Sequence, residues 1–515
     1  MFLLSTNSEP AGSVGLIHPE SHFTDEKAGL LRQATYRRLR RHWQFINELS
    51  LFECDHHQGF GIHVYGRDLP VDFIQATSLY HPSTVEASLK HDGSGTEPGL
   101  KDENGRWDTR PHASRIQQVD DSVLKTWHAV LETEEVPVGQ SRMVYTVNRA
   151  TAAVLDKLAA SPRIGSLGLQ FSAGWHEKND RTRGHFEAEW GAPESWDSVI
   201  LQGPHIHVGN PFYKSPNESM KNNQDWTAVD LEALPTDAIP ATQYKPRGDR
   251  ATYDAAYGTW EEEHGDTQIR KRFRITYRAM AANTGERTLI TALTPPGSAH
   301  VNGLFTFGLP GGKAEDLLLA LGSASSLIAD FAVRAAPKSG IYQGVFERLP
   351  LAIDERFARL IVERVLRLNA LTSAYAPVWG PVMGSHWSPS VALRLAKDRR
   401  QALIEIDVLV ALSLGVTVDE LVTIYRTQFP VLYKYDHEDY LFDANGRLVP
   451  TSIRQKWKKL GSPDSSAAFP DAERTEVHSG SGLSYKYDLP FAILDREADM
   501  RHAYAEFASM RSNRA

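Results

Sequence analysis

Residues 270–308 constrain this 515-residue chain more than any other stretch. The segment opens on a basic cluster, Arg270, Lys271, Arg272, Arg274 and Arg278, and turns at Asn283-Thr284-Gly285. A β-prone run follows, Arg287-Thr288-Leu289-Ile290-Thr291-Ala292-Leu293. Pro295-Pro296-Gly297 breaks that run, and a further strand is expected from Val301 to Phe307. Over 271–277 the side chains alternate, with Arg272 and Arg274 on one face and Phe273 and Ile275 on the other. A basic face beside an apolar one suits a sheet edge that meets a polyanion. A solvated strand with surface arginines explains the same pattern.

The chain as a whole is acidic, with a formal net charge of −8, so any DNA-binding charge has to be local. Hydrophobic residues make up 41%, enough to bury several cores. Cys54 is the single cysteine, which rules out an intrachain disulfide and fits a reducing cytoplasm. No secretory signal is expected at the N-terminus, and no window reaches the roughly 18 apolar residues of a membrane span.

Residues 1–24 read as a loose arm. Apolar spacing through Leu30, Leu31, Tyr36, Leu39, Trp43, Phe45, Ile46 and Leu49 predicts a helix starting after Thr24-Asp25-Glu26. Arg37 and Arg41 would then lie on a basic side able to follow a phosphate backbone. Residues 88–110 are polar and Gly-rich and read as a disordered loop. The Pro-punctuated 227–250 reads as a linker, and a domain boundary is placed there. From 351 onward helices are expected over 354–371, 388–414 and 417–428. Gly415 would stop one of them, and Thr417 with Glu420 would form a capping box for the next.

Two constellations bear on chemistry. Asn210-Pro211-Phe212-Tyr213 is like the Asn-Pro-Pro-Tyr/Phe tetrapeptide with which adenine-N6 methyltransferases hold a flipped base, but it departs from it at the third position. Before it there is no strand ending in a Gly-rich turn and a helix start, so a plain Asn-Pro turn is the favoured reading. His56, His57 and His63 near Cys54 and Asp55, and the pair His205 and His207, lack the four closely spaced ligands of a structural zinc site. They are read as hydrogen-bonded strand histidines, and no metal is expected.

The order of motifs resembles a known family. It runs Tyr36, Leu39, Trp43 and Phe52; Phe60 to Tyr65; Trp175-His176-Glu177 with Asn179; and Gly203-Pro204-His205 to Tyr213. It continues with Tyr277-Arg278 and Met280; Asn283 with Glu286-Arg287-Thr288-Leu289-Ile290; and Pro295-Pro296-Gly297 with Ala299-His300. Glu405-Ile406-Asp407 to Gly415, and Asp495-Arg496-Glu497 with Asp499, close it. This is similar to the C-terminal, target-recognition half of large adenine-specific DNA methyltransferases of type II restriction–modification and DISARM-type phage-defence systems.

The resemblance implies an α+β chain: a mixed β-sheet recognition domain flanked by helical segments, without a complete methyl-donor Rossmann-like domain. The expected division is an arm over 1–24, a mixed α/β connecting domain over 25–235, a DNA target-recognition domain over 236–350, and a mainly helical domain over 351–515. The family's methyl-donor domain lies N-terminal to the matched region. The chain is therefore expected to be a truncated or split enzyme, with no catalytic residue or cofactor of its own and S-adenosylmethionine on a partner. Alternatives are a self-sufficient methyltransferase using Asn210 to Tyr213 and a non-enzymatic DNA-binding remnant. Expected DNA contacts are Arg37, Arg41, Arg272, Arg274, Arg278, Asn283, Arg287, Lys338 and Gln343, because Arg and Lys meet phosphates and guanine edges and Asn and Gln meet adenine. Tyr342 lies in the same loop as Lys338 and Gln343.

Overall fold

The computed structural model describes residues 12–510 except 264, 283 and 337–339. The protein is α+β, as expected, and its chain divides into two compact units. One comprises Met1–Ser161, Phe331–Lys338 and Leu414–Tyr433; the other comprises Pro162–Asp330, Ser339–Ser413 and Lys434–Ala515.

In the first unit five strands form one sheet: β1 (Val14–Pro19), β2 (Leu39–Ile46), β3 (Gly59–Tyr65), β4 (Asp72–Leu79) and β5 (Gln117–Asp120), in the order β1-β3-β2-β4-β5. The helix expected from Thr24 to Leu49 is therefore corrected. Its α-helical part is α1 (Gly29–Tyr36), and the chain then becomes the central strand β2, antiparallel to β3 and parallel to β4. Pairing on both sides satisfies the backbone of β2, while Trp43 and Phe45 enter a core with Phe60, Ala76, Leu79 and Val85. Residues 14–19 of the expected arm are strand β1.

Residues 88–110, expected to be disordered, are tied down instead. The buried Asp108 carboxylate accepts from the Gly99 N–H at 3.0 Å and pairs with Arg110 and Arg115. Helix α2 (Asp121–Leu131) starts on its Asp120 cap and α3 (Arg149–Ala159) on its Asn148 cap, and the two pack together.

In the second unit β6 (Gln170–Ser172), β7 (Arg274–Arg278), β8 (Thr291–Thr294) and β9 (Leu304–Gly308) form an antiparallel sheet in the order β8-β7-β9-β6. The basic strand β7 is therefore an inner strand and not the edge that its arginines suggested. A helical layer continues the core: α4 (Ala314–Ser325), the part of α5 (Leu327–Ala335) up to Asp330, α6 (Glu355–Asn369), α7 (Ala396–Ser413) and α8 (Arg496–Ser509). Helix α4 packs on α6 and α7, and α7 also packs on α6 and α8. At Gly322 a Cβ would come 2.3 Å from Ile361 Cγ2, so glycine is what lets α4 and α6 approach this closely.

Residues 227–250 are no linker between units. Trp226–Ala228 pairs with Lys214–Pro216, and Thr242–Pro246 pairs with Phe186–Gly191, all within the second unit. Among the described residues, parallel pairing is confined to β2 with β4, Ile200–Leu201 with Ala299–His300, and the isolated bridge Trp175 with Val301. No described sheet holds the run of parallel strands on which a methyl-donor fold is built.

Candidate nucleic-acid interface

A guanidinium carries five N–H donors, and where they are spent decides whether an arginine can meet DNA. In the basic stretch four arginines each spend at least two of them internally. Arg270 pairs with the Asp254 carboxylate and donates to the carbonyls of Asp197 and Gly297. Arg274 is 1% exposed and donates to Ser298 O at 2.6 Å and Ser298 Oγ at 2.7 Å. Burial lowers the pKa of its guanidinium from the usual arginine value. Arg278 reaches Gly203 O at 2.9 Å and Ile206 O at 2.7 Å. Arg287 donates through Nε to Asp330 Oδ2 at 2.8 Å and through a terminal nitrogen to Ser325 O at 2.7 Å.

Arg274, Arg278 and Arg287 each join segments distant in sequence, and Arg274 and Arg287 are enclosed while Arg278 is partly exposed. Arg272 is half-exposed and paired with Glu262. In the first unit Arg37 and Arg41 are exposed, and Arg37 shares Asp68 with Arg38. Asn283 and Lys338 lie outside the described residues.

Two of the expected segments do come together. Met280 and Gly340 form a β-bridge, and the Ile341 N–H donates to Ala279 O at 2.7 Å. Gly340 makes the approach possible, since a Cβ there would lie 3.0 Å from the Tyr342 ring and 3.2 Å from Ala279 O. At this junction Met280 is 71% and Tyr342 61% exposed. Gln343 beside them is exposed, with its amide donating to Glu347 Oε1 at 2.9 Å. The junction thus carries a stacking ring, a flexible thioether and an amide, each exposed. The sequence pointed to Gln343 and Tyr342 but not to Met280, whose exposure follows only from the bridge.

Asn210-Pro211-Phe212-Tyr213 forms a tight turn. Asn210 Oδ1 accepts from the Phe212 N–H at 2.9 Å, and the backbones of His207 and Asn210 bond each other in both directions. The acceptor that would hold an adenine amino group is therefore engaged within the turn. Phe212 lines a mainly apolar cavity of about 670 Å³ with Lys214, Leu234, Ile239 and Ser481. On the other side of the turn His207 lies 3.4 Å from Glu286, whose second oxygen accepts from the Tyr440 hydroxyl at 2.7 Å. Burial pulls the imidazoles of His205 and His207 down to about 4, so both are neutral at pH 7. His56 and His57 are exposed beside Glu48, while His63 is buried elsewhere in the first unit.

No protein-family model and no curated protein matches the chain. Among solved structures it matches the type IIG restriction endonuclease BpuSI at 11% identity, over 79% of this chain and 48% of that one, with a TM-score of 0.25. The chain thus spans about half the length of that enzyme.

Proposed function

We propose that this chain is the DNA sequence-recognition portion of a site-specific N6-adenine DNA methyltransferase serving restriction–modification or phage defence. The observation that carries the reading is the junction of 279–282 with 340–343. It gathers an exposed aromatic, an exposed methionine and an amide where the motif order expects target recognition. Tyr342 and Met280 have the chemistry to stack on or wedge between bases, and Gln343 has the donor–acceptor pair that matches an adenine edge. Asn283 directly follows the first of these segments, and Lys338 lies two residues before the second. The motif residues that carry the resemblance also act as joints of the second unit. Arg278 ties to Gly203 and Ile206, and Arg287 to Asp330.

In this reading the methyl donor and catalytic tetrapeptide belong to a partner subunit or domain, and the whole assembly transfers the methyl group. The departure of the tetrapeptide at its third position, and the lack of a run of parallel strands among the described sheets, favour this division over a self-sufficient enzyme. The test is selection of bound duplexes from a randomised pool by the full chain, followed by titration of the selected site. Tyr342→Ala is expected to weaken binding by about 1–3 kcal/mol, and Gln343→Ala to relax preference at one adenine. Recovery of no preferred duplex, or affinity unchanged in the Tyr342→Ala/Met280→Ala double variant, overturns the assignment.

A further inference from the structure

We infer that Glu20, His42 and His63 form a binding site for a divalent transition-metal ion. The register of the five-stranded sheet places His42 on β2 directly opposite His63 on β3, so both imidazoles leave the same face. Strand β1 pairs along the other side of β3, and Glu20 follows its last residue. Gly61 opens the space between them. A Cβ there would lie 2.0 Å from Glu20 Oε1 and 2.3 Å from His63 Cε1. The carboxylate settles into that gap, Oε2 2.9 Å from His42 Nε2 and Oε1 3.1 Å from His63 Nε2.

The ligand atoms all lie within 4.8 Å of one another. Ligands about 2.0 Å from a tetrahedral ion stand roughly 3.3 Å apart, close to the observed spacings. The surroundings are closed: both histidines are fully buried and Glu20 is 7% exposed. His18 stacks on His63 with centroids 3.8 Å apart, and Phe23 meets His42 edge-on at 5.1 Å.

Electrostatics favours a cation here. A buried carboxylate costs several kcal/mol unless a positive charge faces it. The side chains that hydrogen-bond to Glu20 are two imidazoles and the Tyr145 hydroxyl, which donates to Oε2 at 2.5 Å. A metal ion bound by both Nε2 atoms and the carboxylate would supply that positive charge. Two imidazoles and one carboxylate are a donor set for Zn²⁺ or Fe²⁺; Ca²⁺ and Mg²⁺ prefer all-oxygen shells. Tyr145 would then hold the carboxylate in place. By contrast, the group of Glu48 with the exposed His56 and His57 has no such enclosure.

The test uses the full chain stripped with a chelator and titrated with Co²⁺, whose ligand-field absorption reports nitrogen and oxygen coordination. One equivalent of Co²⁺ is expected to saturate the signal, Zn²⁺ to displace it, and Zn²⁺ to raise the melting temperature of the wild-type chain. Glu20→Gln and His63→Gln should each abolish uptake, while Tyr145→Phe should weaken it about tenfold and leave the stoichiometry at one. Absence of stoichiometric uptake by the folded wild-type chain overturns the inference. So does uptake that survives in His42→Gln and His63→Gln. A melting temperature that climbs on acidification and ignores Zn²⁺ would assign the positive charge to an imidazolium instead.

Discussion

Replacing Arg287 separates a structural arginine from a DNA-contacting one. Its guanidinium is 8% exposed, and the Asp330 carboxylate it meets is fully buried. The Thr288 N–H adds a bond to the same Asp330 oxygen at 3.0 Å, fixing the backbone at the start of the run toward β8. Arg287→Ala removes the charge opposite a buried carboxylate and opens a hole where a long side chain lay. Breaking such a pair from one side costs about 3–5 kcal/mol, a large part of the stability of a domain. Arg287→Lys restores charge but not the two-pronged geometry that reaches both Asp330 and Ser325, and should recover only part of the loss. Replacing both partners with apolar residues of similar volume should cost far less than either single change.

The assay is equilibrium urea unfolding followed by tryptophan fluorescence, with DNA affinity measured on the folded fraction. The expected result is a lowered unfolding midpoint and per-molecule DNA affinity close to wild type. An Arg287→Ala protein with an unchanged midpoint and lost DNA binding would refute the structural assignment and return Arg287 to the interface.

Three other perturbations read other parts of the molecule. Burial pushes the Asp407 carboxyl in α7 from 3.8 up to about 6, against the opposing pull of Arg287. The folded chain therefore holds that proton longer than the unfolded chain. Stability should fall as pH rises from about 4 to about 6 and stay lower above, by about 3 kcal/mol. Asp407→Asn keeps an acceptor for the Leu327 N–H and should flatten that window in pH-dependent melting; an unchanged profile counts against the buried acid. Gly61→Ala should cost about 1–3 kcal/mol by driving a methyl group into Glu20 and His63, and an unaltered melting temperature would contradict the packing described. Asn210→Ala should cost about 1 kcal/mol through its turn and leave methyl transfer intact once a catalytic partner is supplied, whereas loss of transfer in a folded variant would make the tetrapeptide catalytic.

Local signals were legible in the sequence because they involve neighbours. Gly415 adopts φ 70° at the end of α7, and Thr417 and Glu420 form the reciprocal capping box that starts Val418–Gln428. The helices expected over 354–371 and 388–414 occur as α6 and α7, with the second starting later. What failed was partner-dependent. The spacing from Leu30 to Leu49 suits a helix, but pairing of β2 with β3 and β4 decides it, and those partners lie farther along the chain. The arginine face of β7 was visible, yet the carbonyls that take its donors sit at Ser298, Gly203 and Ile206.

The same blindness hid the Glu20, His42 and His63 group, whose members meet only through sheet register. A hint existed: His42 and His63 each stand amid strand-forming residues, where a buried polar group needs a partner. This sharpens the criterion for a DNA contact. Density of basic residues marks places where carbonyls and carboxylates have to be satisfied as readily as it marks a polyanion site. The discriminating feature is a side chain left in water beside a fixed backbone junction, and in the second unit Met280, Tyr342 and Gln343 are exposed at such a junction where Arg274 and Arg287 are buried.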